Sequence, residues 1–243
     1  AAMKAREAEG VGGADAKFVA GHSLGEYSAL AAAGSLTIAD TAKLLRVRGE
    51  AMQAAVPVGE GAMAALLGLD FETAAAVAAE AAEGQICQAA NDNDPGQVVV
   101  SGNKAAVERA VDIAKGKGAK RAMLLPVSAP FHCALMAPAA EKMKEALAEV
   151  ELSAPAVPLV ANVRAEAVAD PAVIKDLLVE QVTGSVRWRE SVAYMAGAGA
   201  TGLIETGAGK ALSGMARRID KSLNCVNVGA PDDVAKAVEA VKG

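Results

Sequence analysis

The chain has 243 residues, 53% of them hydrophobic and 22% charged, enough for one sizeable core or two small ones. A net charge of −5 argues against a general nucleic-acid binder. With only 2% aromatic residues, the core has to be built from Ala, Val, Leu and Met.

The chain opens on a helical run over residues 1–9. An apolar run, Phe18-Val19-Ala20, then leads into Gly21-His22-Ser23-Leu24-Gly25-Glu26, and a helix-forming stretch follows over 27–33. This is a G-x-S-x-G nucleophile elbow in the strand–turn–helix setting such a motif requires. The turn strains the serine backbone, and glycines on both sides are expected to give room for it. The hydroxyl then projects at a helix N-terminus, where free N–H groups favour an oxyanion.

Residues 37–56 are helical by pattern, with Ile38, Ala42, Leu45, Gly49 and Met52 as the apolar stripe. Lys43, Arg46 and Glu50 lie opposite, with Arg46 and Glu50 spaced as a surface pair. Arg48 falls at the margin of the stripe, where an arginine either snorkels outward or meets a carboxylate inside.

From about 60 to 126 the order is β-α-β-β-α-β. It comprises a strand over 62–67, a helix over 71–82, a hairpin of 85–90 with 97–101, a helix to about 115, and a last strand over 121–126. The hairpin turns across Asn91-Asp92-Asn93-Asp94-Pro95-Gly96, a run dense in turn formers. Asn103 is placed to cap the second helix and Gly116 to stop it. This order is a ferredoxin-like unit. It interrupts a larger α/β body formed by 1–59 and 127–243, which resumes with a helix over 135–149, a buried strand over 157–163 and a last helix over 232–241.

A serine nucleophile needs a base, and the chain has two histidines. His22 precedes the serine, so its side chain is expected to point away and to pack or cap beside the turn. His132, in Ser128-Ala129-Pro130-Phe131-His132-Cys133, sits between a strand and a helix and is the available base. Cys133 beside it is a much weaker candidate nucleophile. Cys87, Cys133 and Cys225 are far apart and odd in number, forming neither a metal-spaced pair nor a disulfide framework. Reduced cytoplasmic thiols are the simplest reading, and no signal peptide or membrane-length apolar stretch is seen. Gly207-Ala208-Gly209-Lys210 lacks the P-loop spacing and its Ser/Thr, so it reads as a turn into the helix bearing Arg217 and Arg218.

The segments GHSLGEYSAL, RGEAMQ and SAPFHCALM together resemble the malonyl-CoA:acyl carrier protein transacylases, which prime fatty-acid and polyketide synthesis. The resemblance runs over essentially the whole chain. It implies a hydrolase-like α/β subdomain (1–59 and 127–243) carrying a ferredoxin-like one (60–126), with the site between them. It implies Ser23 as nucleophile, His132 as base and Arg48 as the clamp on the malonyl carboxylate. The main-chain carbonyl of Gln181 would orient the histidine, and the Leu24 N–H would serve as an oxyanion donor. Asn91 and Asn162 would lie near the pocket, and Phe131 would match the bulky residue that goes with malonyl rather than methylmalonyl. Lys120 and Arg121 would join a basic patch for an acidic carrier protein.

No metal or permanently bound cofactor is implied. Coenzyme A thioester is the substrate and the carrier's phosphopantetheine the acceptor. The protein would be monomeric and cytoplasmic, with no nucleic-acid or membrane partner. The family's G-Q-G-S-Q segment, whose first glutamine completes the oxyanion hole, is not found ahead of Ser23. The expectation is a piece lacking the family's first strand and helices. Two other readings remain. One is a serine hydrolase or thioesterase using Ser23, His132 and an acid such as Asp92 or Asp94; the other is an inactive fragment.

Overall fold

The computed structural model describes residues 15–242; the helix expected over 1–9 lies outside them. The fold is mixed α/β. Strand β1 (Val19–Ala20) pairs in parallel with β6 (Leu159–Ala161), and β6 pairs antiparallel with β7 (Glu166–Val168). Helix α1 (Gly25–Ala32) leaves the turn after β1, and α2 (Ile38–Ala54) follows, capped by Thr37, whose hydroxyl accepts from Asp40 N–H at 3.0 Å. Helices α5 (Ala137–Ala148) and α6 (Pro171–Thr183) complete this layer. Tyr27, Leu30, Leu44, Met136, Met143 and Leu159 form the centre of its core.

Between α2 and α5 the chain forms β2 (Gly61–Leu67), α3 (Phe71–Ala82), β3 (Cys87–Asp94), β4 (Gln97–Asn103), α4 (Lys104–Gly116) and β5 (Arg121–Leu124). The strands make one antiparallel sheet in the order β3-β4-β2-β5. Both helices pack on it through small residues: Ala74, Ala78 and Ala81 from α3, and Ala106, Ala110 and Ala114 from α4. That spacing of three and four residues puts each alanine set on one face, letting helix and sheet backbones approach closely. The rest of the chain forms α7 (Trp188–Gly197), α8 (Ala211–Ile219) and α9 (Asp233–Lys242) around the parallel pair β8 (Gly202–Thr206) and β9 (Asn224–Val228).

Three local expectations are corrected. The run Asn91–Asp94, read as a turn, is strand: β3 continues through it with two register shifts, and the reversal is confined to Pro95-Gly96. Gly96 has φ 105, the conformation that follows proline in a tight turn of this kind. Tertiary pairing overrides turn propensity here, because each polar side chain from 92 to 94 finds a partner across the molecule. Arg189 on α7 grips Asp92, Arg218 on α8 grips Asp94, and Asn93 meets His22. The main chain joins in, with Val186 N–H donating to Ala90 O at 2.8 Å and Asp92 N–H to Val186 O at 2.9 Å. Second, Asn103 does not cap α4 with its side chain; its Oδ1 accepts from Ile86 N–H at 2.8 Å and ties the start of β3 to the end of β4. Third, the buried stripe of α2 is Thr41, Leu44, Arg48 and Met52, while Ile38 is 66% exposed. Arg48 is therefore inside that face and not at its edge.

Asp92 is 1% exposed and its carboxylate takes a forked contact from the half-exposed Arg189 at 2.8–3.1 Å. Arg189→Ala leaves that carboxylate buried without its charged donor, and is expected to lower unfolding stability by about 1–3 kcal/mol. Urea unfolding followed by circular dichroism is the measurement; an unchanged midpoint removes the clasp from the account.

Candidate active site

Ser23 occupies the turn between β1 and α1 with φ 54, a left-handed conformation that residues with a Cβ rarely adopt. The turn is tight because two backbones touch: a Cβ on Gly21 would stand 2.0 Å from the carbonyl oxygen of Gly25. A Cβ on Gly25 would meet nothing within 4 Å. The two glycines of the motif therefore differ, and only the first is demanded by contact. Asn162, just after β6, fastens the turn from below. Its Oδ1 accepts from Ser23 N–H at 2.7 Å and its Nδ2 donates to Gly21 O at 2.8 Å. Both ends of this amide are thus spent on the turn.

His132 is 4% exposed and likewise left-handed, with φ 59. Its Nε2 lies 2.7 Å from Ser23 Oγ and its Nδ1 2.9 Å from the Gln181 carbonyl oxygen. A carbonyl only accepts, so Nδ1 carries the proton and Nε2 faces the serine as an acceptor. Burial, and then the positive charge of Arg48, hold this imidazole's pKa down at about 3. The ring is neutral near pH 7 and able to take the serine proton.

Arg48 reaches the same point from α2. One guanidinium nitrogen donates to Ser23 Oγ and to Gln181 Oε1, each at 2.9 Å, and the guanidinium carbon sits 5.9 Å from the centre of the Tyr27 ring. Its Nε is buried with no partner. Gln181, fully buried on α6, is the node of the cluster. Its carbonyl holds His132, its Oε1 takes Arg48, and its Nε2 donates to Ser23 O at 2.9 Å and to Glu26 Oε2. Glu26 is 1% exposed, and its other oxygen accepts from Asn162 N–H at 2.9 Å. Burial pushes this carboxyl up to about 7, against the opposing pull of those hydrogen bonds and of Arg48.

Sequence reading missed Glu26. The signal was present: Glu26 lies three and four residues before Ala29 and Leu30, on the buried face of a short, largely apolar helix. A carboxylate is not placed there without partners.

The remaining candidates separate clearly. Leu24 is 57% exposed at the head of α1, and its N–H finds no acceptor among the described residues. Asn91 is buried in β3, bridging Val186 through the main chain. Phe131, half-buried, packs against both the Tyr27 core and the small cluster of Met63, Ala90 and Val99. Lys120 and Arg121 are exposed at the start of the edge strand β5. His22 sits apart, its Nε2 2.8 Å from Asn93 Oδ1 and its ring 5.8 Å from that of Trp188. Cys133 is buried with its thiol on Pro130 O, and burial raises its pKa. Asp92 and Asp94 are committed to Arg189 and Arg218, and the histidine's Nδ1 faces a carbonyl, so neither acid serves as a third member behind His132. Among the described residues no cluster of His, Cys, Asp and Glu could hold a metal ion, and no helix is long and apolar enough to cross a membrane.

A strained serine at a helix N-terminus, a neutral histidine oriented by a carbonyl, and a buried arginine beside both make the kind of arrangement that serine-dependent acyl transfer requires. The profile of the acyl transferase domain family matches residues 2–218. The malonyl CoA-acyl carrier protein transacylase of Escherichia coli K12 is 49% identical over 228 residues, 94% of this chain and 74% of that protein. The crystal structure of acyl-carrier-protein-S-malonyltransferase from Bartonella henselae superposes with a TM-score of 0.97 at 53% identity, covering 100% of this chain and 77% of that one. A malonyl-transacylase solved in complex with a type II PKS acyl-carrier protein gives a TM-score of 0.90 at 43% identity, covering 92% and 72%. The chain belongs to the acyl transferase domain family and, within it, to the malonyl-CoA:acyl carrier protein transacylases.

Gly21→Ala is expected to be disruptive: its Cβ meets backbone that cannot rotate away, so the turn has to open. A cost of about 1–3 kcal/mol, as for overpacking, is expected together with loss of acylation at Ser23. Gly25→Ala has open space and is expected to keep its stability. Thermal unfolding of the two variants side by side checks this, and equal losses would remove the distinction.

Proposed function

We propose that this chain moves malonyl from malonyl-CoA to the phosphopantetheine thiol of an acyl carrier protein, through a malonyl-serine intermediate, for fatty-acid synthesis. The observation that carries the reading is the hydrogen-bonded line from Gln181 O through His132 to Ser23, with the Arg48 guanidinium on the same hydroxyl. The names of the similar proteins agree with it.

Ser23 Oγ attacks the thioester carbonyl as its proton passes to His132 Nε2. The Leu24 N–H holds the oxyanion. The carbon–sulfur bond then breaks, and coenzyme A leaves with the proton from His132. The second half runs the same steps with the carrier's thiol as nucleophile, so the kinetics are ping-pong. Arg48 supplies selectivity, because its fork pairs with the free carboxylate that malonyl has and acetyl lacks. In the resting site that guanidinium occupies a lone pair of Ser23 Oγ. A malonyl carboxylate that draws it away frees the nucleophile and offsets the Arg48 charge, which after burial is the second cause of the low His132 pKa. Substrate of the right class thus makes its own attacking group more reactive.

The finer assignments belong to the same proposal. The chain divides into a hydrolase-like subdomain (1–59 and 127–243) and a ferredoxin-like one (60–126); the order β2-α3-β3-β4-α4-β5 supports this. Phe131 bounds the acyl pocket, with Asn91 nearby. Lys120 and Arg121, both exposed, favour an acidic carrier. The enzyme works as a cytoplasmic monomer with no bound cofactor.

The test is to mix the chain with malonyl-CoA and carrier protein and to weigh both proteins. A malonyl gain on the chain that passes to the carrier is expected. Free malonate without transfer would point to a hydrolase, and no gain at all to an inactive chain. Ser23→Ala is expected to abolish the adduct, and His132→Ala to slow its formation by about 10²–10⁴-fold. An adduct that persists in Ser23→Ala, or maps to Cys133, overturns the assignment.

Selectivity gives a sharper check. Removing a charge-assisted contact is worth roughly 1.5–3 kcal/mol. Arg48→Ala should therefore lower malonyl kcat/KM by about 10–10²-fold relative to acetyl. Arg48→Lys should recover only part of the preference. Arg46→Ala, whose partner is the exposed Glu50, should change neither rate. A malonyl-to-acetyl ratio unmoved in Arg48→Ala returns that residue to the packing of α2.

A further inference from the structure

We propose that Glu26 is a positioning residue for acyl selectivity: as a carboxylate it fixes the orientation of the Gln181 amide, and through that amide the place of the Arg48 guanidinium. The inference rests on the transacylase reading of the site and adds a residue to it.

The argument is one of donors and acceptors. The two Glu26 oxygens each face a donor, the main-chain N–H of Asn162 and the side-chain amide nitrogen of Gln181. With its nitrogen directed to Glu26 and to Ser23 O, the amide of Gln181 has one orientation left, which presents Oε1 to Arg48. The same side chain would fit the cavity turned over. It would then set its NH2 against the guanidinium and its oxygen against both the carbonyl of Ser23 and the carboxylate of Glu26, three like-facing pairs in a buried site, of which the one with the carboxylate adds a full negative charge. A buried carboxylate under the elbow thus selects the amide orientation that accepts from Arg48.

Neutral substitutes fail this role for a definite reason. A glutamine at position 26 has to turn its own NH2 toward one of two donors. Facing Asn162, it opposes a main-chain N–H that cannot rotate. Facing Gln181, it makes that amide turn over and repels Arg48. A protonated Glu26 loses its negative charge and part of its acceptor capacity, so it holds the Gln181 amide less firmly. Glu26 and Gln181 are both at most 1% exposed, so bulk water does not reach the pair.

The group titrates in a usable range. Burial raises Glu26 to about 7. The charged and titratable groups around it are Arg48 from α2, Tyr27 beside it on α1, His132 from the loop ahead of α5, and His22 in the turn. Arg48 stays cationic. Burial raises the Tyr27 phenol, and burial holds His132 at about 3 and lowers His22. Above pH 7 Glu26 is the carboxylate the role needs, and below it the role is lost.

The experiment measures malonyl and acetyl kcat/KM for loading of Ser23, in wild type and Glu26→Gln, as a function of pH. Glu26→Gln is expected to lose about tenfold or more in the malonyl-to-acetyl ratio, the change that about 1.4 kcal/mol produces. In wild type the ratio is expected to fall as pH drops from about 8 to about 6, and in Glu26→Gln to stay flat; kcat/KM reports groups of the free enzyme. The wild-type profile needs no variant to fold. Equal losses for both acyl groups in Glu26→Gln, or a wild-type ratio flat across that range, would show Glu26 to be merely structural. Absence of malonyl loading in wild type would instead sink the transacylase reading itself, and this inference with it.

Discussion

The site is organised around a single electrostatic constraint: a guanidinium, 6% exposed, held against a serine hydroxyl. Taking an arginine out of water is costly unless its charge and its donors are answered. Three groups answer Arg48 from two elements, α6 and α1. Gln181 on α6 offers an oxygen, Glu26 on α1 offers charge behind that amide, and Tyr27 offers the face of its ring. Each of these residues has further partners, so the arginine cannot be moved without disturbing the elbow and the histidine. Among the described residues only Nη2 of Arg48 has hydrogen-bond acceptors, and its buried Nε is left without one. The proposed role supplies one, in the form of a carboxylate brought by the substrate.

Strain is placed where this network can hold it. Four non-glycine residues among those described have positive φ, and two of them are Ser23 and His132. Such conformations cost of order 1–3 kcal/mol each and persist only when their surroundings over-determine them. For Ser23 the surroundings are explicit: its N–H goes to Asn162, its carbonyl takes Gln181, and its hydroxyl is shared by His132 and Arg48. Every polar atom of the residue is therefore fixed before substrate arrives, which is what preorganisation means in physical terms.

The legible part of the sequence was the part in which local chemistry and tertiary role coincide. Gly21 and Ser23 announce a strained turn because only a particular backbone suits them, and the scarcity of histidine singled out His132. The alternation of strands and helices over 61–124 was readable because alanine and valine periodicity is local. The rest depended on partners distant in sequence. Asn91–Asp94 carries turn formers yet is strand, because Arg189 and Arg218 lie 97 and 124 residues away. Arg48 was put at a stripe's edge because a stripe drawn from hydrophobicity cannot include Thr41 and Arg48, the polar members of the buried face. Asn162 offered a pocket-facing amide by resemblance. Its two hydrogen bonds to the elbow, to Ser23 N and Gly21 O, could be known only from the fold.

The same dependence on distant partners couples the two halves of the molecule at the elbow itself. His22 and Ser23 are adjacent, and their side chains go to different places: His22 to Asn93 of β3, Ser23 to His132. One turn thus touches the four-stranded sheet on one side and the α6 cluster on the other. The sheet's far strands send the chain from β5 through Pro130 to His132, so the histidine arrives from the sheet while its orienting carbonyl belongs to α6. A displacement of the sheet against the rest of the molecule would therefore alter the Ser23–His132 distance of 2.7 Å directly. The forked pair at Asp92 and the two Arg218 contacts to one oxygen of Asp94 oppose that displacement, even though they stand apart from the Ser23 cluster. Near-attack geometry tolerates little error. The buried acids of β3 thus help to hold His132 against the Ser23 hydroxyl, at a desolvation cost that a hydrophobic contact would not carry, because an ion pair with the arginine fork fixes a direction and apolar packing does not.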